Sequence, residues 1–247
     1  MRIGTLDLTK VSMAAIEQFQ PKSRLFSFPY LFRDDAHYWK VLEGEIGQQF
    51  LDVALENNLK GICYFDAGFR SFYTRAGKRV EKAEDLKGLK IRAINSETMI
   101  AVLASLGCTP TVIEWGELYT SLQNGVVDGA ENNVPSLYTS RQYEAVKYYT
   151  LNEHTAVPDV IMMSRKSWEK LTQEERDWLV SAFREAVEFQ KELWRQDCEA
   201  QLAEMQSKGL EVIRPDKSSF IAAAQSFYDK LTDPELVDLV EKIRAVE

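Results

Sequence analysis

Three features of the sequence predict an α/β protein with a mostly parallel sheet. Short apolar runs alternate with amphipathic stretches through the middle of the chain. Glycines and small polar residues punctuate that alternation, and one very long helical pattern fills much of the C-terminal third. A β–α–β–α–β rhythm of this kind is the ordinary signal for strands crossed over by helices.

Leu59 to Phe65 is a short apolar run that ends in an Asp-Ala-Gly turn and reads as a strand. Gly88 to Ala93 alternates like a half-buried strand. Ser96 is placed to cap the next helix, whose apolar positions Ile100, Leu103, Ala104 and Leu106 stop at Gly107. Thr111 to Ile113 is strand-like, Glu117 to Leu122 turns helical and ends near Gly125, and Val126 to Ala130 reads as a further strand.

The C-terminal third differs. Thr172-Gln173-Glu174-Glu175 has the form of a capping box, in which Thr172 bonds an amide and Glu175 reaches back. From there Leu179, Phe183, Val187, Leu193, Trp194, Cys198, Leu202 and Met205 recur at helical spacing, uninterrupted by Pro or Gly until Gly209. At 1.5 Å per residue such a helix is about 50 Å long, more than one small lobe needs. Its heptads are irregular, with Ala186 and Gln190 on the stripe, so bracing two lobes is preferred over a coiled coil. Leu210 to Ile213 reads as a late strand followed by two short helices.

The chain has 247 residues, 45% hydrophobic and 28% charged, enough for two lobes of roughly 100–120 residues. A net charge of −8, with Lys and Arg interleaved among acids, argues against nucleic acid or an anionic membrane as partner. No apolar run approaches the roughly 20 residues that cross a bilayer, so direct membrane insertion is not expected. Nor does the start carry a secretory pattern, which by itself predicts a cytoplasmic product. Cys63, Cys108 and Cys198 form no CxxC pair, and His37 and His154 are the two histidines, so a zinc site is not expected. One disulfide among the three remains open. P-loop, GxGxxG, GxSxG and HExxH patterns are missing, and no cofactor is called for.

Several polar positions carry more information. Arg92 sits between apolar neighbours in a predicted strand, where an Arg is costly to bury unless it meets an anion. Its planar fork matches a carboxylate bidentately; the plainer reading pairs it with Glu84, Asp85 or another protein carboxylate. Arg70 follows a predicted strand and reads either as a surface residue or as a second cation at the site. Asn132 and Asn133, after Glu131, stand at a strand's carboxyl end, where ligands of open α/β sheets collect; the plainer reading is a strand-to-helix turn. Trp115 is either a core aromatic or a flat wall against a ligand, and His154 is either structural or ligand-facing. Arg, Asn and Trp bind well but are poor nucleophiles and bases.

The run Glu84 to Arg92 and the run Trp115 to Asn132 resemble the DctP family of TRAP transporter substrate-binding proteins. Ile3 to Asp7, Phe28 to Phe32 and Met163 to Leu171 match in the same order, so the resemblance covers essentially the whole chain. It implies a two-lobed, type II periplasmic-binding-protein-like fold with a long helix bracing both lobes. The division it suggests is 1–68 with 158–197 in the N-terminal lobe, and 69–157 with 198–247 in the second. It implies further that Arg92 pairs bidentately with a ligand carboxylate, that Arg70 and Asn132 support the same ligand, and that Trp115 stacks beside it.

Glu131-Asn132-Asn133 followed by Pro135-Ser136 is similar to the branch that takes sugar acids such as uronates and aldonates. A second Asn suits a hydroxyl-rich ligand, since an amide donates and accepts at once, and His154 would serve the same end. The alternative ligand is a C4-dicarboxylate or keto acid. The implied partners are the small acid and the transporter's membrane subunits, with no enzymatic activity and a periplasmic location. Family members carry a signal peptide and a strand–helix–strand unit ahead of the Ile3 segment, so the N-terminal end is expected to be missing. Two other readings compete: an enzyme on the same scaffold, and a non-exported, sensor-like binding module.

Overall fold

The computed structural model describes residues 3–53 and 58–247. Among them nine strands occur in chain order: β1 (Leu8–Ser12), β2 (Leu59–Phe65), β3 (Arg70–Thr74), β4 (Lys90–Ala93), β5 (Thr109–Val112), β6 (Gly129–Asn132), β7 (Tyr148–Thr155), β8 (Asp159–Ser164) and β9 (Glu211–Ile213). They form two sheets. One has the order β1-β8-β2, and the other β5-β4-β6-β3-β7-β9.

The three-stranded sheet is antiparallel throughout, with Ser12 and Phe65 both opposite Asp159 at one end. Val160 and Met162 alternate onto the face buried against α1 (Asp35–Glu43) and α2 (Glu45–Val53). The turns Met13–Ile16 and Pro21–Ser27 add Met13, Leu25 and Phe26 to the same core, and Phe26 meets Phe50 edge-on at 4.8 Å.

The six-stranded sheet is mostly parallel, as expected, with β3 the one strand that runs against the other five. β4 runs parallel to β5 and β6, and β7 parallel to β9, but β3 opposes both its neighbours. The cause is the route of the chain. It enters β3 from β2 at the edge where β4, β5 and β6 end, so β3 must run the other way. Val126 to Ala130 also shifts: the strand is Gly129–Asn132, and the residues before it form the turn.

Successive residues of β3 face opposite cores. Phe72 packs with α3 (Glu97–Ser105) and α8 (Ser218–Tyr228), while Tyr73 packs with α4 (Leu118–Gln123), α5 (Val134–Thr139) and Met205. Ser96 caps α3 as expected, accepting from the Met99 amide at 3.1 Å. A short α6 (Arg165–Lys170) precedes α7 (Gln173–Ser207), 35 residues or about 52 Å long, opened by the expected Thr172/Glu175 capping box. Val187 of α7 lies in the core of the three-stranded sheet and Met205 in a core of the six-stranded one. The helix thus braces both lobes. α9 (Pro234–Arg244) contributes Leu236, Val240 and Ile243 to the core of the three-stranded sheet, whereas the division the resemblance suggests places 198–247 in the second lobe.

The chain passes between the sheets through 66–69 and 156–158. Cys63, Cys108 and Cys198 are free, and burial pushes the thiols of Cys63 and Cys198 up to about 12. Among the described residues no helix is long and apolar enough to cross a membrane.

Candidate functional site

The carboxyl ends of β4, β5 and β6 share one edge of the six-stranded sheet with the amino end of β3. Register fixes this arrangement: Arg92 lies opposite Thr111, Ser71 opposite Asn132, and Arg70 opposite Thr155. Arg70, Arg92, Asn132 and His154 therefore come from four strands to one edge, the edge at which α/β sheets bind ligands.

Arg70 begins β3, rather than lying in the loop after β2, and is not a surface residue. Its Nε and Nη2 donate to the two carboxylate oxygens of Glu131 at 2.5 and 2.8 Å. Nη2 also reaches the Glu131 carbonyl, and Nη1 donates to Asn132 Oδ1, both at 3.0 Å. Four of its five N–H groups are used in this way, and one Nη1 hydrogen is left over among the described residues. Burial raises the Glu131 carboxyl, but the field and hydrogen bonds of Arg70, with His154 beyond, outweigh it and hold the group down at about 2. Arg70 is correspondingly raised, its desolvation overcome by Glu131.

Arg92 is different. It is 4% exposed and forms no ion pair among the described residues. Its Nε donates to the Ile113 carbonyl at 2.9 Å, and its guanidinium lies 5.7 Å from the centre of the Trp115 ring. Burial lowers its pKa, with partial relief from Glu131. The plainer pairing with Asp85 does not occur: that carboxylate accepts from the Glu81 and Lys82 amides instead. Trp115 is 44% exposed and is not a core aromatic. Arg92 is thus a desolvated cation beside an open aromatic face.

Asn132 accepts from both Arg70 and the Asn133 amide through Oδ1, which turns its own NH₂ away from these partners. Asn133 and His154 serve the frame. Asn133 caps α5 by accepting from Ser136 N at 2.8 Å and donates one Nδ2 hydrogen to the Ala67 carbonyl at 2.7 Å. His154 is completely buried, stacked on Phe72 at 4.6 Å, with Nε2 3.6 Å from Glu131 Oε2. Burial lowers its pKa against the pull of Glu131. At 0% exposure it offers no surface to a ligand.

The sequence places Glu131 in the Glu131-Asn132-Asn133 run but gives it no role of its own. A lone acid in the apolar run before Asn132 was the available signal, but its partner stands 61 residues away. Among the described residues no three His, Cys, Asp or Glu side chains gather to hold a metal. A cavity of about 610 Å³ opens elsewhere, between α7, α1 and the 66–69 connection; it reaches Asn133 but none of Arg70, Arg92, Asn132 or Trp115. The buried charges mark the candidate site better than the cavity does.

A two-lobed α/β frame with an anion-seeking edge defines a class of solute-binding proteins. Residues 1–234 match the family described as "Bacterial extracellular solute-binding protein, family 7", DctP, and the chain belongs to that family of TRAP transporter binding proteins. It is 36% identical to the uncharacterized protein YiiZ of Salmonella typhimurium over 100% of this chain and 76% of that one. A TRAP periplasmic solute-binding protein from Xanthobacter autotrophicus Py2, solved with β-D-galacturonate, is 36% identical with a TM-score of 0.94, covering 100% of this chain and 82% of that one. Another, from Pseudomonas putida F1 with D-glucuronate, is 35% identical with a TM-score of 0.94, over 100% and 80%.

Proposed function

We propose that this chain is the periplasmic binding subunit of a TRAP transporter and captures a sugar acid, a uronate foremost, for the membrane subunits. The observation that carries this reading is the buried Arg92, which has no anionic partner among the described residues. Its terminal nitrogens take the ligand carboxylate bidentately. Trp115 covers the apolar face of the sugar ring. The spare Nη1 hydrogen of Arg70 and the NH₂ of Asn132 supply further donors. The Arg70–Glu131 pair holds those donors in place before the ligand arrives. The two similar proteins solved with galacturonate and glucuronate favour uronates over dicarboxylates. Nothing at this edge resembles a nucleophile beside a base, which favours binding over turnover.

The two lobes are taken as 1–68 with 158–197 and 69–157 with 198–233, α9 returning to the first. Closure of one on the other sequesters the ligand by hinge motion.

Titration calorimetry and thermal melting against D-galacturonate, D-glucuronate, an aldonate, succinate and pyruvate test the reading. A uronate at 100 times its Kd stabilises the fold by about 2.7 kcal/mol, and Arg92→Ala abolishes the effect. A preference for succinate would move the ligand to the dicarboxylates. Absence of binding by every acid would overturn the proposal.

A further inference from the structure

α7 is tied to the first connection between the sheets by one side chain. Gln190, near its middle, accepts from the Asp66 amide through Oε1 at 2.8 Å and donates to the Asp66 carbonyl through Nε2 at 3.0 Å. A primary amide satisfies both polar groups of one residue as a neighbouring strand would. Glutamine can do this because it carries donor and acceptor on one planar group, which Glu and Leu do not.

The residues after Asp66 are tied in turn. The Gly68 amide donates to Asp66 Oδ1 at 2.8 Å, with Gly68 at φ +60°, and Trp194, one turn beyond Gln190, closes on Gly68 from the same face of α7. The Ala67 carbonyl accepts from Asn133, whose amide donates to Asn132 Oδ1, which also accepts from Arg70. Hydrogen bonds joined by the Asp66–Ala67 peptide and by Asn133 itself thus link α7 to two residues of the candidate binding edge. Asp66, Gly68 and Phe69 border the 610 Å³ cavity, so the connection is open on one side and the two bonds from Gln190 are its direct backbone tie to α7.

We infer that Gln190 is a positioning residue for ligand binding: it clamps the 66–69 connection to α7 and so sets Arg70 and Asn132 in place for the acid. This rests on the reading of the Arg92 edge as the binding site. The clamp touches no ligand, so its loss weakens all acids by one factor and leaves their order of preference unchanged.

The test is Gln190→Leu, of similar size but without donor or acceptor, with Gln190→Glu as a second variant that keeps the acceptor but sets a carboxylate oxygen against the Asp66 carbonyl. Affinities for D-galacturonate, D-glucuronate and an aldonate are measured by calorimetry, alongside urea stability and hydrogen exchange of residues 66–70. The expected result is about tenfold weaker binding of each acid in Gln190→Leu, the net worth of one to two hydrogen bonds. Gln190→Glu weakens binding of each acid at least as much, with faster exchange at Asp66 in both. Should Gln190→Leu fail to fold, Gln190→Glu carries the same comparison. Unchanged affinities beside lowered stability make the clamp merely structural and overturn the inference, as does a changed order of preference. A parent protein that binds no acid overturns the binding reading and this inference with it, whereas parent binding with indifferent variants overturns this inference alone.

Discussion

Replacing Glu131 by Gln keeps its shape and removes the charge that neutralises Arg70. Glu131 is fully buried and the Arg70 side chain is 12% exposed, so the guanidinium is left with an amide oxygen in place of a carboxylate. The carboxyl titrates at about 2 in the fold against an ordinary 4.5. A difference of that size is worth about 3 kcal/mol, in line with the 3–5 kcal/mol typical of breaking one side of a buried pair. Because the folded pKa is depressed, this stability is present above about pH 4.5 and is lost as pH falls towards 2. Urea unfolding of parent and Glu131→Gln from pH 7 to pH 3.5 checks both statements. At pH 7 the variant is weaker by about 3 kcal/mol, and the gap begins to close below pH 4.5. A gap under about 1 kcal/mol, or one that ignores pH, refutes the idea that the pair is held by charge and not by shape.

Two further changes probe the connection between the sheets. Gly68→Ala puts a side chain where φ is +60° and where a Cβ would sit 3.0 Å from Trp194 Nε1; it destabilises by about 1–2 kcal/mol in thermal or urea melts. Asp66 has the opposite pH sign to Glu131, since burial raises its carboxyl to about 6. The stability linked to its proton is full below about pH 3.8 and lost as pH rises through 6. Asp66→Asn, which still accepts from the Gly68 amide, is therefore more stable than the parent at pH 7 by up to about 3 kcal/mol. That advantage fades towards pH 4, and a pH-independent difference would show that Asp66 is not desolvated.

The elements legible in the sequence are those with local punctuation. The Ser96 cap, the capping box at Thr172 and the apolar run at Leu59 each announce themselves within a few residues. β3 and β7 do not: Phe72 and Tyr73 face two different cores, and Tyr149 alternates with Thr150, so neither strand shows a clean apolar face. Direction was equally hidden, because whether β3 runs with or against β6 depends on which edge the chain enters. At the site, chemistry alone leaves Arg92 and Trp115 with two readings each, and it is the resemblance that assigns them to the ligand. The allotment of Arg70 to Glu131, of Asn133 to Ala67 and of His154 to Phe72 depends on partners 61, 66 and 82 positions away. A single sequence carries no period that would reveal such pairings.

The long helix has one more consequence. Val187 and Met205 are 18 residues apart on one continuous rod, each seated in a different core. With about 27 Å of unbroken helix between them, neither sheet can melt without exposing a share of the helix that the other relies on. A loop between lobes lets each come apart in its own time; a shared helix does not. Sharing the helix couples the two sheets, so they are expected to unfold together in a single transition, which a calorimetric scan would show as one peak.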